Sequence, residues 1–298
     1  MQFGYWTHNT PAWKDVLELC RRAEATGWDG VWHADHFMPN AEDNSGPANE
    51  CWTTLTAIAA LVPRVRVGHL VNSNTYRNPA VLAKMAAGVD IISGGRFVLG
   101  LGAGWQENEH ESYGITLPSL TERMDRLEEA AAIVKSLLSQ ERTTFEGRYY
   151  QIQEAPLAPK PVQTPLPLLI GGGGERRTLR IVARFADEWN DWGTPEQVRR
   201  KAEVFKRHCT DVGRDPAEIR RSAATLLAFG TESPAIERAQ RMNRPIMSGS
   251  TEDVRRTVQA YAAAGIDELI VADMVLGGVE EKKETLERFI TEVGPEFR

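Results

Sequence analysis

Residues 168–190 read LLIGGGGERRTLRIVARFADEWN, and this stretch decides the fold. Leu168, Leu169 and Ile170 form an apolar run too short for a helix. Four glycines follow, then a helix opened by Glu175-Arg176-Arg177-Thr178, then a second short run at 188–190. A strand that is apolar at successive positions is buried on both faces, as in a parallel sheet, and a helix is the usual way back to a parallel neighbour.

The same unit recurs along the chain. Candidate strands lie at 2–7, 30–34, 65–71, 96–101, 168–171, 188–190, 223–229 and 268–272, with VRVGHLV and ELIVA near-continuously apolar. Between them run helical stripes. Trp13, Val16, Leu17, Cys20 and Ala23 precede a stop at Gly27, and Leu82, Met85, Ala86 and Val89 follow Pro79. Leu120, Met124, Leu127, Ala131, Val134 and Leu138 make the strongest stripe, which packing on a barrel explains better than a dimer seam. Thr194-Pro195-Glu196-Gln197 reads as a capping box with proline at the first helical position, and Ser250 as the cap of a last barrel helix ended by Gly265.

Eight strands, each followed by a helix, predict an α/β fold, a (β/α)8 (TIM) barrel with insertions after strands 4 and 7. A doubly wound open sheet is the rival. The first insertion, about 102–167, holds the 120–138 helix and a hairpin turning at Glu146-Gly147. The second, TESPAIERAQRMNRPIMSGS, reads as a mobile segment over the site. With no linker, repeat or low-complexity block, 1–298 is expected to be a single domain.

Composition narrows the partners. The 298 residues carry 35 Lys and Arg against 41 Asp and Glu, a net charge of −6, which argues against nucleic acid or an anionic membrane surface. No apolar run nears the roughly 18 residues of a membrane span, and MQFGYWTHNT lacks the regions of a signal peptide. A soluble, cytoplasmic protein is expected. Cys20, Cys51 and Cys209 are odd in number and widely spaced, so neither a disulfide framework nor a zinc ribbon is indicated.

Barrels of this kind keep their active sites at the carboxyl ends of the strands. Those ends gather His8, His33, Asp35, His36, His69 and His110. His36 is the candidate acid–base group, because the adjacent Asp35 can set its tautomer; structural roles suit His33, His69 and His110 better. A zinc site is poorly supported, since no histidine follows His208, and no metal is expected. Two glycine-rich stretches, 100–104 and Gly171 to Gly174, allow close backbone approach to a phosphate-bearing ligand, with Arg176 and Arg177 adding positive charge. Trp6, Trp32, Trp52 and Trp192 are expected to make an apolar pocket.

Taken together, DHF at 35–37, NTYRNPAVLAKMA at 74–86, SGGRFVLGLGAGW at 93–105, ENEHESYGI at 107–115 and the 171–190 run resemble the bacterial luciferase-like superfamily, and within it the branch of oxidoreductases dependent on the deazaflavin coenzyme F420. The resemblance implies a cofactor at the carboxyl mouth of the barrel, against a non-proline cis peptide that maps to Leu70–Val71. It implies cofactor contacts from Asp35, His36 and Thr75, with Gly104, Asn108, Gly173 and Gly174 along the ring edge, tail or phosphate; Gly171, Gly172, Glu175, Arg176 and Trp105 complete the expected set. The catalytic residues carried over are His36, as proton source, and Asp35.

Where the related sugar-phosphate dehydrogenases have a catalytic glutamate, this chain has Trp105, which puts a sugar phosphate in doubt. The expected reaction is hydride transfer between the deazaflavin C5 and a small apolar or unsaturated organic substrate. The alternative is an FMN-dependent monooxygenase that uses oxygen and a separate cofactor reductase. A non-catalytic cofactor-binding barrel is a third reading. The resemblance also suggests a homodimer.

Overall fold

Eight parallel strands close into a barrel in this computed structural model, which describes residues 1–298 other than residue 42. They are β1 (Gln2–Thr7), β2 (Gly30–His33), β3 (Arg66–His69), β4 (Phe97–Gly102), β5 (Leu168–Gly171), β6 (Glu188–Trp192), β7 (Arg220–Phe229) and β8 (Glu268–Ala272). Each pairs with its sequence neighbours, and β8 pairs with β1 from Gln2↔Glu268 to Trp6↔Ala272. That closure excludes the open doubly wound sheet. No helix is long and apolar enough to cross a membrane among the described residues.

The helices start and stop where the sequence directs. Gly27 ends Trp13–Thr26 in the left-handed conformation. Thr194 and Gln197 form the capping box of Pro195–Val212, and Ser250 and Asp253 form that of Thr251–Ala263. The helix Leu120–Ser139 buries Met124, Leu127, Ala131 and Val134 against the barrel. Two barrel helices escaped the sequence reading: Val279–Glu292, which follows β8 and replaces Thr251–Ala263 as the last, and Cys51–Leu61, whose N-cap Glu50 accepts from the Trp52 and Thr53 amides at 3.1 and 2.8 Å.

Three boundaries differ from expectation. β3 stops at His69, because the Leu70–Val71 peptide is cis and the chain resumes as Asn72–Ser73, a two-residue strand paired to the end of β4. β7 begins at Arg220, three residues early, behind polar side chains that hid it. Those side chains belong to a charged plug at the amino end of the barrel. Glu268 accepts from Trp32 Nε1 at 2.9 Å, Arg66 at 3.0 Å and Arg220 at 3.1 Å, and Arg66 also pairs with Glu188. The Trp32 indole fills the interior above it because its neighbours are glycine: a Cβ on Gly68 would lie 2.5 Å from the ring.

The third correction concerns the second insertion. It holds two elements that the sequence reading did not assign, the helix Pro234–Met242 and the strand Ile246–Gly249. The long β7 changes partner halfway: residues 220–224 pair with β6, and residues 226–229 pair with the inserted strand. The first insertion carries the antiparallel hairpin Arg142–Glu146 and Gln151–Pro156, turning at the expected place.

His33 and His69 are buried, and no hydrogen bond reaches either ring nitrogen of His69 among the described residues. Burial pushes His33 down to about 4 and His69 well below its ordinary value. Both are therefore neutral in the folded protein, whereas the unfolded chain protonates them near pH 6.5. Stability from these groups is complete above about pH 6.5 and is lost as pH falls toward 4, by about 3 kcal/mol for His33. Urea unfolding at pH 7 and pH 5 is expected to show this loss, and His69→Phe to flatten it; an unchanged slope in the variant would refute the assignment.

Candidate active site at the carboxyl mouth of the barrel

A cavity of about 720 Å³ opens at the carboxyl ends of the strands. Leu70, Val71, Gly102 to Gly104, Gly171 and Gly172 line it, together with Asp35, His36, Trp105, Trp6, Trp192 and Met274.

Asp35 follows β2 and is 2% exposed. Arg77 donates to both its oxygens, at 2.6 and 3.1 Å, and the Ser73 amide donates at 3.2 Å. Burial raises the carboxyl above its ordinary value, while Arg77 and Ser73 pull the other way. Asp35 is therefore committed to Arg77, and the expectation that it sets the His36 tautomer is corrected.

The partner of His36 is Glu109. His36 Nδ1 lies 2.8 Å from Glu109 Oε1, the Phe37 amide donates to Oε2 at 2.8 Å, and the Tyr76 hydroxyl also donates to Oε1. Glu109 is fully buried, which alone would raise its carboxyl, but bonds from His36, Tyr76 and the Phe37 amide hold it below the ordinary range. Burial and Glu109 push the Tyr76 phenol well up, so it stays a donor. A carboxylate only accepts, so Nδ1 carries the hydrogen of a neutral ring, and Nε2 is left to exchange a proton. Trp105, 53% exposed, meets the His36 ring edge-on at 5.5 Å between centroids.

Glu109 was invisible in the sequence because Glu107, Glu109 and Glu111 look like one solvated run. On the short helix Glu107–Ser112 only Glu109 and His110 are buried. Arg77 was quoted within a motif but given no role. The residues 38–40 that also line the cavity lie in a connection that gives no periodic signal.

The structure does not bring every expected residue to the cavity. Thr75 lies behind Gly104 and bonds His110 Nε2 and Ser73 Oγ, each at 2.6 Å. Asn108 donates to the Pro39 carbonyl at 3.3 Å. Gly173 sits against the Asp191–Lys201 ion pair, where a Cβ would collide with both side chains, so packing rather than a ligand demands glycine there. Gly174 abuts Thr178, Glu175 pairs with Arg200 at 3.0 Å, and Arg176 is exposed. The helix itself starts at Thr178, and Arg177 is tied to Asp125.

Of the tryptophans, Trp6 and Trp192 reach the cavity, their rings 5.3 Å apart; Trp32 fills the barrel and Trp52 packs on His69. Burial pushes the Cys51 thiol well up, so it is inert as a nucleophile. Among the described residues no three His, Cys, Asp or Glu side chains group as metal ligands.

Known proteins share this fold. The model of the family described as luciferase-like monooxygenase matches residues 1–296. An F420-dependent glucose-6-phosphate dehydrogenase of Amycolatopsis mediterranei is 35% identical over 180 residues, 60% of this chain and 52% of the relative. The chain thus spans about half the length of that curated relative. An F420-dependent secondary alcohol dehydrogenase, solved with an F420–acetone adduct, superposes with a TM-score of 0.86 at 21% identity, covering 98% of each chain. A monooxygenase, RslO1 from Streptomyces bottropensis, superposes at 0.81 with 21% identity over the whole of both chains.

The Arg77–Asp35 pair is expected to carry much of the stability of the mouth. Arg77→Met leaves a buried carboxylate without its counter-charge and should cost roughly 3–5 kcal/mol in urea unfolding. Adding Asp35→Asn should recover part of the loss. A single-variant cost under about 1 kcal/mol would show that the pair is not energetically coupled.

Proposed function

The chain belongs to the luciferase-like monooxygenase family, and from that premise we propose that it is an oxidoreductase holding coenzyme F420 at the mouth of its barrel. Its reaction is hydride transfer to or from a small organic substrate. The observation that carries this reading is the His36–Glu109 pair on the rim of a glycine-walled cavity.

The residues present suit such a cofactor. Asn72 lines the cavity with a buried Oδ1 that has no partner among the described residues, an acceptor left over for a ring N–H. Gly102 and Gly171 make room for Val71, whose side chain a Cβ would meet at 2.7 and 2.8 Å, and so allow residues 70–71 to line the cavity. The bound deazaflavin supplies the hydride donor or acceptor at C5.

The chain does the rest. Glu109 fixes the His36 ring, and His36 delivers a proton to the substrate atom that gains charge, or removes one in the reverse direction. Trp105 limits rotation of the imidazole. Trp6, Trp192 and Met274 exclude water from the apolar side. Trp105 also stands where the sugar-phosphate dehydrogenases have a glutamate, so a substrate other than glucose 6-phosphate fits this mouth better. The family description supports a second reading, an FMN-dependent monooxygenase fed by a reductase, because the same barrel would serve both.

Fluorescence titration of the protein with F420 and separately with FMN is expected to show preference for F420; preference for FMN would select the second reading. His36→Ala should lower turnover by about 10²–10⁴-fold with cofactor affinity nearly unchanged. Equal turnover would remove His36 from the mechanism. Glu109→Gln should lower kcat, by less than His36→Ala, and leave KM nearly unchanged, because a side-chain amide can present its N–H to Nδ1 and turn the ring to the wrong tautomer. An unchanged kcat would deny Glu109 its positioning role.

A further inference from the structure

We propose that the end of the cavity between Trp192 and Arg244 recognises a carboxylate, so that the substrate is an organic acid with an apolar body. This rests on the oxidoreductase reading above.

The geometry begins with the partner change in β7. Because the strand Ile246–Gly249 pairs with residues 226–229, the inserted segment is fastened next to the carboxyl end of β6, where Trp192 stands. The helix Pro234–Met242 ends at Asn243 in the left-handed conformation, and the chain turns so that Arg241, Met242 and Arg244 all line the cavity. The Arg244 guanidinium carbon is 5.1 Å from the centre of the Trp192 ring, and that ring packs on Trp6.

Arg244 is the uncommitted cation of this end. Exposed at the mouth, it makes no ion pair among the described residues; its charge reaches Asp191, which also lines the cavity, but that carboxylate is paired with Lys201. Arg241 pairs with Glu237 at 3.4 Å, but both side chains are more than two-thirds exposed, and such pairs hold little. A guanidinium laid on an indole keeps its plane and its outward N–H donors, which match the two oxygens of a carboxylate. Beyond it the surface is apolar: Trp6, Trp192, Met242 and Met274. A molecule gripped there by its carboxylate lies along apolar wall before it reaches His36. The methionines, flexible and polarisable, accept bodies of differing shape.

The other anion in the system is the phosphate- and carboxylate-bearing tail of the cofactor, so the test separates the two sources. Calorimetry with the F420-loaded protein uses 3-phenylpropionate and its neutral amide as probes. The acid is expected to bind at least tenfold more tightly, and Arg244→Gln to abolish that preference while Arg244→Lys retains part of it. Affinity for F420 should be the same in all three proteins. Equal binding of acid and amide, or an acid preference that survives Arg244→Gln, overturns the proposal. So does an Arg244→Gln variant that loses affinity for F420 but not for the deazaflavin riboside without its tail, since the arginine then serves the cofactor. If F420 fails to bind, the acid preference measured on the unloaded protein still decides the carboxylate site, and only the cofactor reading falls.

Discussion

Glu109 is the constraint on which the mouth of this barrel depends. One carboxylate, fully buried, accepts from the His36 ring, the Phe37 amide and the Tyr76 hydroxyl. Those donors come from the connections after β2 and β3, and the acceptor from the helix after β4. A buried charge is tolerated only when its hydrogen bonds are complete, so each segment is held by the need of the others. Asp35 repeats the device one residue before His36, tying the β2 connection to Arg77 and Ser73. The imidazole thus sits between two anchored neighbours, with its own tautomer set by the first. Positioning of this kind, achieved before any ligand arrives, is what proton transfer at a fixed place requires.

The two ends of the barrel use charge in opposite ways. At the amino end Arg66, Arg220, Glu188 and Glu268 neutralise one another and close the interior with Trp32 above them. At the carboxyl end the pairs Asp35–Arg77, His36–Glu109 and Asp191–Lys201 stand round an open cavity. The first arrangement is finished and inert. The second leaves ring nitrogens, an amide oxygen and a guanidinium with valence to spare.

The barrel was legible because its signals are periodic: apolar runs buried on both faces, helical stripes, glycine stops and capping boxes. Where polar residues did structural work the reading failed. Arg220 to Ser222 begin β7 with polar side chains, the first of them in the charged plug, and so they read as loop. Site residues next to a motif were found by position, and their partners were not. Asp35 beside His36 suggested a couple; the fold gives each a different partner, 42 and 73 residues away along the chain. Four glycines suggested one ligand cradle, yet Gly171 and Gly172 line the cavity while Gly173 is crowded by Lys201 and Gly174 by Thr178. A contact made across such distances leaves no spacing for a sequence to display.

The partner change in β7 has a mechanical consequence. Residues 220–224 already complete the ring of eight, so the strand Ile246–Gly249 hangs on a single neighbour and contributes nothing to closure. Four residue pairs and an isolated bridge at Gly230 and Gly249 fasten it to β7, and Met247 anchors it in the core. The insertion that shapes the mouth and the ring of eight strands are therefore separate parts of one chain, so residues 230–249 line the cavity without taking part in closing the barrel.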